Sequence, residues 1–218
     1  MNTRLKRMLD VVLAALAIVA LSPLLVALAL WIRLDSPGPA LFRQRRIGRN
    51  GAPFRVLKFR TMHHRDPDSI DQLKEAVVSA GEDPRITQAG RFLRRTSLDE
   101  LPLLFNILKG EMSLVGPRPL LPEQVEVVPP EYSCRFEVRP GLTGLAQVRG
   151  RRGLAWLDQL AADAEYVRRH NLLYDLRLIA KTAQVVLTGS GVYGGEGQNW
   201  RAYRDARNAE AADRCQQP

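Results

Sequence analysis

Residues 11–32 read VVLAALAIVALSPLLVALALWI, a run of 22 residues in which only Ser22 and Pro23 are not apolar. As an α-helix this run would be about 33 Å long, enough to cross the hydrocarbon core of a bilayer. A cleaved signal peptide is disfavoured, because its apolar region would be shorter and would not carry a proline in the middle. From length alone, a single transmembrane pass is the default interpretation.

Charge and proline support a second topology, in which the segment enters and leaves the membrane on the same side. Basic residues flank both ends of the run, and enrichment in Lys and Arg is typical of cytoplasmic flanks. Pro23 removes the backbone donor that would bond the carbonyl of Val19, and the Ser22 hydroxyl can replace it. A re-entrant helix–break–helix with its break at Ser22 and Pro23 satisfies both constraints, and from the residues alone it stands level with a single pass. The flanking basic residues are Arg4, Lys6, Arg7, Arg33, Arg43, Arg45 and Arg46.

The charge balance indicates an anionic partner. The chain of 218 residues carries 32 Lys and Arg against 23 Asp and Glu, a formal net charge of +9. Such a balance is typical of proteins that bind nucleic acid, anionic lipid or phosphorylated substrates. Aromatic residues make up only 6% and form no basic platform for stacking bases, so no nucleic-acid partner is expected. Cys134 and Cys215 lack metal-ligand spacing and indicate free thiols in a reducing compartment.

Downstream of the apolar run, the pattern predicts an α+β fold that is mostly helical. Residues 41–60 have the form of a small β-hairpin around Asn50-Gly51, a dipeptide suited to turns with positive φ. Two helical stretches meet around residues 97–100. Two amphipathic helices follow, and we expect them to lie at the membrane interface. Their apolar positions are Leu157, Leu160, Ala161, Ala164 and Val167, then Leu172, Leu173, Leu176, Ile179 and Ala180.

Asp99-Glu100 is the acidic pair that stands among strongly basic residues. Ser97 to Glu100 fits the S-x-x-E capping box, in which the pair would only cap a helix. Pro102 argues against that cap, since it would lie beyond the first turn, where proline loses a helical hydrogen bond. The helix is therefore predicted to start between Asp99 and Pro102, with the pKa of Asp99 kept low by nearby arginines. From the residues alone, a helix cap and a catalytic site are about equally supported as interpretations of this pair. The preceding arginines are Arg91, Arg94 and Arg95.

Three further segments carry candidate phosphate-binding groups, and each has a plainer interpretation. Lys58 and Arg60 have strand spacing and project from one face, which is also typical of a solvated strand. The prolines beside Arg118 hold its backbone extended, which is also typical of a surface turn. The glycines of residues 141–147 either bring backbone amides to an anion or form a plain turn.

Taken in order along nearly the whole chain, these residues resemble the bacterial sugar transferase family. Its members are monotopic phosphoglycosyl transferases that start glycoconjugate assembly on polyprenyl phosphate. Each motif alone is weak, but their ordered succession is highly specific. Leu145 is a departure, because many relatives have an aromatic residue there, and it leaves the fit of the sugar or nucleoside open. The motifs are Ser22-Pro23, Lys58 to Met62, Ser97 to Pro102, Asn106 to Gly110, Met112 to Pro119, and Arg139 to Gly144 with Gln147 and Gly150-Arg151.

The resemblance implies a Mg²⁺-dependent enzyme in which Asp99 is the nucleophile and Glu100 is the partner carboxylate that helps to hold the metal. The resemblance also favours the re-entrant topology over a single transmembrane pass. The chain looks like the small form of the family, for which an N-acetylated hexosamine or a bacillosamine-type sugar is expected. Arg94, Arg118 and Arg151 match positions that contact substrate phosphate or nucleotide, and Lys58, Arg60 and Gln147 complete the predicted phosphate-binding set.

The predicted reaction moves a sugar phosphate from a UDP-sugar to polyprenyl (undecaprenyl) phosphate through a covalent aspartyl phosphosugar. The predicted location is the bacterial inner membrane, with the active site on the cytoplasmic face, anionic membrane lipid as a partner and a homo-oligomer left open. We expect a re-entrant anchor at 1–36, a catalytic phosphoglycosyl transferase domain at 37–195 and a polar, poorly ordered tail at 196–218. One alternative is a basic membrane adaptor without catalysis, in which the acidic pair is only a cap. The other is a membrane phosphatase, in which water resolves the Asp99 intermediate.

Overall fold

The computed structural model describes residues 3–75, 83–150, 153–188 and 199–216. Helix α1 runs from Thr3 to Asp35 and is the one helix in these ranges that is long and apolar enough to cross a membrane. The Ser22 hydroxyl donates to the Val19 carbonyl at 2.8 Å, as predicted for the bond that Pro23 leaves open. This hydroxyl replaces the missing donor, and α1 is one helix through Pro23, so no full break is seen at Ser22 and Pro23. The re-entrant topology stays a prediction.

A β-hairpin follows α1, as predicted. Strand β1 (Leu41–Ile47) pairs antiparallel with strand β2 (Pro53–Phe59). The connecting turn has positive φ at Asn50 (56°) and Gly51 (75°), which asparagine and glycine adopt with little strain. Lys58 lies near the end of β2, so the hairpin presents this side chain at the edge of the fold nearest the acidic pair.

Two helices frame the acidic pair. Helix α2 runs from Gln88 to Thr96 and helix α3 from Leu103 to Lys109, with a 3₁₀ turn at Leu98–Glu100 between them. Ser97 adopts the left-handed conformation, with φ 59° and ψ 15°, and this ends α2 and redirects the chain. The two carboxylates therefore lie in a tight turn between helices.

Asn106 of α3 fastens this region to the hairpin. Its side chain is fully buried, accepts from the Leu57 N–H at 2.9 Å and donates to the Arg55 carbonyl at 2.7 Å. Its amide nitrogen also lies 2.6 Å from the Glu111 carboxylate. Since β2 has no strand partner on this side, Asn106 supplies hydrogen bonds that a third strand would otherwise supply.

A second, parallel sheet was not predicted from the sequence. Strand β3 (Ser113–Val115) pairs with strand β4 (Gly141–Thr143). Glycine permits the close approach, since a Cβ on Gly141 would lie 2.1 Å from the Gly116 nitrogen and one on Gly144 would lie 2.2 Å from the Gly116 oxygen. The Gly116 and Gly141 amides donate to the carbonyls of Thr143 and Pro117, so of the two glycines predicted to form either an anion site or a plain turn, Gly141 uses its amide within the protein.

Helices make up most of the remaining chain. The described part of the predicted polar tail is polar but not poorly ordered, because residues 200–216 form a helix whose first residue, Trp200, is buried against Trp156, Leu160 and Val127. The boundary predicted at 195 lies outside the described residues. The helices are α4 (Pro122–Val125), α5 (Leu145–Arg149), α6 (Trp156–Arg169), α7 (Leu172–Thr188) and α8 (Trp200–Gln216).

The two predicted amphipathic helices differ in where their apolar faces point. In α6 the apolar positions Leu160 and Ala164 are buried in the core, so this helix does not present its apolar face outward. In α7 the arrangement is reversed, because Asp175 and Leu178 are buried and the predicted apolar positions are exposed. This leaves an outward apolar stripe on α7, formed by Leu172, Leu173, Leu176, Ile179 and Ala180.

Helix α1 packs along the same body at its start, middle and end. Near its start, the Lys6 amine lies 2.6 Å from the Asp175 carboxylate, and the Asp10 carboxylate accepts from the Leu114 N–H at 3.1 Å. Further along, Ala14 is buried with Leu103, Leu104, Ile107 and Met112, and Leu28 and Ile32 are buried with Phe59, Ala89 and Leu93. Its other side is an exposed apolar face of Val12, Leu13, Leu16, Val19, Leu24, Val26, Leu30, Trp31 and Leu34.

Candidate active site

The acidic pair does not cap a helix. Ser97 makes no side-chain capping bond, and α3 begins only at Leu103, after Pro102. This agrees with the prediction that the helix starts close to Pro102 and leaves both carboxylates in front of it. The interpretation of Asp99 and Glu100 as a simple capping box is therefore not supported, and with it the adaptor alternative loses the observation on which it depended.

Glu100 is held between two basic side chains. Its Oε1 lies 2.6 Å from the Lys58 amine and 2.9 Å from an Arg118 guanidinium nitrogen, and the side chains of Lys58 and Glu100 are each only 20% exposed. Burial alone would raise the pKa of Glu100, but Arg118 and Lys58 outweigh it and hold the pKa well below its usual range. Burial also lowers the pKa of Lys58. Glu100 is therefore an ionised anchor that joins the hairpin to the segment around Arg118.

Asp99 has a different environment from its neighbour. No described residue forms a hydrogen bond or ion pair with its carboxylate. Burial, followed by repulsion from Glu100, raises the pKa of Asp99 against the opposing fields of Lys58, Arg94 and Arg118. The predicted low pKa of Asp99 is thus wrong, because burial and the charge of Glu100 outweigh the fields of Lys58, Arg94 and Arg118. Two adjacent carboxylates with pKa values pushed in opposite directions are typical of sites that give them different roles.

The basic residues of α2 do not all face the site. Arg91 and Arg95 are exposed, whereas Arg94 is half-buried and its Nε donates to the Thr61 hydroxyl at 2.9 Å. The field of Arg94 also lowers the pKa of Asp99. Of the three arginines expected around the pair, Arg94 is the one that the fold turns toward it.

The Arg60 side chain is buried and makes structural hydrogen bonds that were not predicted from the sequence. Its side chain is 3% exposed, and its guanidinium donates to carbonyls at the end of α1 and in the following loop, among them Ile32 at 3.2 Å and Ser36 at 2.8 Å. It also donates to the Ser36 hydroxyl and to the Pro39 carbonyl, each at 2.7 Å. The Ile32 carbonyl belongs to the last turn of α1, where carbonyls lack a full set of intrahelical donors, and the other acceptors belong to the loop that follows the helix. Arg60 therefore caps α1, which corrects its assignment as a phosphate-binding residue.

Arg118 is presented by a segment that cannot form an ordinary strand. Pro117 and Pro119 lack N–H groups, so the backbone there is fixed through its carbonyls. The Pro117 carbonyl accepts from the Gly141 N–H at 2.8 Å, and the Pro119 carbonyl accepts from Arg46 at 3.3 Å. The Arg118 side chain is 37% exposed, so it remains accessible from solvent while it contacts Glu100.

Gln147 and Arg151 complete the predicted set. Gln147 is 9% exposed on α5, and neither its side-chain oxygen nor its nitrogen has a hydrogen-bond partner within the described ranges. A buried amide with both ends unpartnered is costly unless a ligand or water satisfies it, which supports a binding role. Arg151 lies outside the described residues.

A buried ion pair behind Arg118 was missed in the sequence. Arg135 lies in a 3₁₀ stretch, Pro130–Phe136, and contacts Asp163 of α6 at 2.6 Å, with both side chains nearly inaccessible. The available signal was the position of Asp163, which shares a helix face with Leu160 and Val167, where an apolar residue would be expected.

The carboxylates of Asp99 and Glu100 are the candidate ligands for magnesium. In the part of the chain that the structure describes, no three His, Cys, Asp or Glu side chains are grouped so that they could hold a metal ion alone. Mg²⁺ does not need such a cage, since it commonly uses one or two carboxylates together with waters and substrate phosphates. Asp99 and the second oxygen of Glu100 accept no described hydrogen bond and so are available as ligands. The pair fits Mg²⁺ when a phosphorylated substrate supplies further oxygens.

Comparison with known proteins gives consistent matches. The family model described as bacterial sugar transferase matches residues 1–189. The UDP-glucose:undecaprenyl-phosphate glucose-1-phosphate transferase of Caulobacter vibrioides is 48% identical over 196 residues, which cover 86% of this chain and 72% of the relative. The exopolysaccharide production protein ExoY of Sinorhizobium fredii is 39% identical, over 86% of this chain and 88% of its own.

Some relatives are much longer than the matched region. The undecaprenyl-phosphate galactose phosphotransferase of Salmonella typhimurium is 39% identical over 199 residues, which cover 87% of this chain but 42% of the relative. The chain therefore spans less than half of such relatives and most of the shorter ones.

Proposed function

The chain belongs to the bacterial sugar transferase family, and from this we propose that it transfers a sugar 1-phosphate from a UDP-sugar to undecaprenyl phosphate and releases UMP. The observation that carries the proposal is the pair Asp99-Glu100, in which one carboxylate has no partner among the described residues and the other is held by Lys58 and Arg118. A carboxylate of this kind suits nucleophilic attack on phosphorus, because it needs no base to remove a proton once it is ionised.

In the first step, an oxygen of the Asp99 carboxylate attacks the phosphorus that bears the sugar. The bond from this phosphorus to the oxygen shared with UMP breaks, and UMP leaves with the electron pair. In the second step, an oxygen of the lipid phosphate attacks the same phosphorus, and the bond to Asp99 breaks. One phosphoanhydride is lost and another is formed, so the overall reaction is close to balanced. The raised pKa of Asp99 favours this role, since a more basic carboxylate is a stronger nucleophile.

Glu100 and the basic residues hold the reacting groups. Lys58 and Arg118 fix the direction of Glu100 by two contacts on one oxygen, and its other oxygen accepts no hydrogen bond from the described residues. Asp99 and Glu100 would hold Mg²⁺, which when bound offsets the negative charge that develops on the leaving phosphate. Arg94, Arg118 and Arg151 are proposed to bind substrate phosphate, and the unpartnered amide of Gln147 is proposed to bind the nucleotide or sugar.

The donor sugar is proposed to be a hexose. Two of the three relatives named above carry glucose or galactose in their names, which favours a plain hexose over the N-acetylated sugar expected from the small form of the family. UDP-glucose is therefore the first donor to test, with UDP-galactose and UDP-N-acetylglucosamine beside it.

A membrane location with both ends of α1 on one side is also proposed. The start of α1 is bonded to Asp175 through Lys6, and its end is capped by Arg60, so both ends contact one body. A straight pass would have to place parts of that charged body on both sides of the bilayer, which is costly. The exposed faces of α1 and α7 would lie in the lipid, with the active site at the depth of the headgroups on the cytoplasmic side.

Cysteine labelling tests this topology. In a background without Cys134 and Cys215, single cysteines at Asn2 and Pro37 are labelled with an impermeant thiol reagent in intact inner-membrane vesicles. Pro37 is chosen because it is exposed, whereas the neighbouring Ser36 is buried. Both cysteines should react from the cytoplasmic side only. Labelling from opposite sides would establish a spanning helix.

The activity is tested by measuring UMP release from purified protein in detergent or nanodiscs. The UDP-sugars above are supplied with and without undecaprenyl phosphate and Mg²⁺. We expect turnover with a UDP-hexose that needs both additions. The exposed Asp205→Asn variant serves as a matched control for Asp99→Asn, and it should turn over like the wild type. No UMP from any donor with acceptor and metal present would reject the proposed function, and release that does not respond to the lipid would favour a phosphatase.

A further inference from the structure

The backbone of Arg118 is fixed by a buried guanidinium. Prolines on both sides prevent regular strand pairing, so the carbonyl of Arg118 depends on whatever donor reaches it. That donor is Nη2 of Arg135, at 2.7 Å. The residue whose side chain contacts Glu100 is thus attached, through its main chain, to a second arginine that is itself 3% exposed.

Arg135 is in turn oriented by Asp163. Its Nη2 and Nε both donate to Asp163 Oδ2, at 2.6 and 3.2 Å, and the two side chains are 2% and 3% exposed. The same Nη2 therefore bridges the Asp163 carboxylate and the Arg118 carbonyl. A planar guanidinium held at two points has little freedom to turn, so the carbonyl it bonds is held in one place.

We propose that Arg135 and Asp163 are positioning residues for the transfer reaction, which hold the backbone of Arg118 so that its side chain stays on Glu100. The chain of contacts runs from Asp163 on α6 through Arg135 to Arg118 and then to the acidic pair. Stability alone is a weak reason for such a pair, since apolar residues often replace a buried ion pair without loss. The inference rests on the proposed function, because the rate of transfer is its readout.

The first test compares Asp163→Asn and Arg135→Lys with the wild type in UMP release, after folding has been checked by circular dichroism and thermal unfolding. Lysine keeps the charge beside Asp163 but lacks the planar fork. For each variant we expect kcat to fall about tenfold per folded enzyme, with KM for the UDP-sugar changed by less than about threefold. A merely structural pair would lower the yield of folded protein and leave kcat unchanged. Full activity of Arg135→Lys would overturn the proposal.

Glu165→Gln is the matched control. Glu165 lies on α6 near Asp163 and also pairs with arginines, Arg149 and Arg169, each at 2.7 Å, but it does so at the surface. Its kcat should stay within about twofold of the wild type. An equal loss in this variant would attribute the effect to α6 in general rather than to the buried pair.

A double-mutant cycle with Arg118→Lys decides whether Arg135 and Asp163 act through Arg118. If it does, adding Arg135→Lys to Arg118→Lys should lower kcat by less than about twofold further. Equal losses in both backgrounds would reject positioning through Arg118. If Asp163→Asn does not fold, the kcat of Arg135→Lys alone decides whether the proposal holds. A wild type that releases no UMP rejects the proposed function instead, so the two failures are distinguishable.

Discussion

Asn106 offers a test of how the fold builds the site, because it joins the helix after the acidic pair to the strand that carries Lys58. In Asn106→Leu the side chain keeps a similar volume but loses its three contacts, to the Leu57 N–H, the Arg55 carbonyl and the Glu111 carboxylate. Two of these partners are main-chain groups of β2, and each buried group left unpaired costs about 1–3 kcal/mol.

The expected loss in the free energy of unfolding is therefore about 3 kcal/mol. For a chain of this size, that corresponds to a fall of roughly 6–12 °C in Tm, which thermal unfolding in nanodiscs can measure. Turnover should fall as well, since Lys58 depends on the same strand. Asn208→Leu, on the exposed surface of α8, is the control and should change stability by less than about 0.5 kcal/mol. A loss below about 1 kcal/mol in Asn106→Leu would refute the reasoning, because the unpaired main-chain groups would then have found other partners.

Two further predictions concern Glu100 and Arg60. Glu100→Gln should leave a slow enzyme whose half-saturating Mg²⁺ concentration rises about tenfold or more, since a metal ligand is weakened and the nucleophile is kept. A Mg²⁺ titration of UMP release measures this, and an unchanged midpoint would remove Glu100 from the ligands. Arg60→Lys should destabilise the fold by about 2 kcal/mol, because one ammonium cannot satisfy the carbonyls around the end of α1. Thermal unfolding measures the loss, and KM for the UDP-sugar should stay within about twofold. A raised KM at unchanged stability would return Arg60 to the phosphate-binding set.

The features that were predicted correctly depend on residues close together in the chain. The turn at Asn50-Gly51, the helix start near Pro102 and the bond from the Ser22 hydroxyl to Val19 each follow from a few neighbouring residues. The identity of the pair Asp99-Glu100 came from the ordered motifs of the family. Local chemistry and motif order therefore indicated where the site is.

The features that were missed depend on contacts between distant segments. The strand spacing of Lys58 and Arg60 could not reveal that one side chain reaches Glu100 while the other caps α1, because both partners lie far along the chain. The pairing of Arg135 with Asp163 joins segments that no sequence period connects. The pKa of Asp99 is raised mainly by burial, and the number of arginines nearby in the sequence does not indicate how buried the carboxylate is.

The apolar faces of α6 and α7 illustrate the same limit. Both helices have amphipathic patterns, yet α6 buries Leu160 and Ala164 in the core, whereas α7 exposes Leu172, Leu173 and Leu176. An apolar stripe indicates that a surface avoids water, but it does not say whether protein or lipid covers that surface. On α7, Asp175 is buried and pairs with Lys6, while Leu172, Leu173 and Leu176 are exposed.

Asp99 is proposed to carry the sugar phosphate during transfer, and mass spectrometry of the trapped enzyme can detect this intermediate. The wild type is mixed with UDP-glucose and Mg²⁺ in the absence of undecaprenyl phosphate, quenched in acid within seconds and analysed by intact and peptide mass spectrometry. We predict an added mass of one hexose phosphate on the peptide that contains Asp99, its loss on addition of undecaprenyl phosphate, and its absence in Asp99→Asn. An enzyme that releases UMP in the full reaction while Asp99 stays unmodified, or an Asp99→Asn variant that retains turnover within about tenfold of the wild type, would contradict the account.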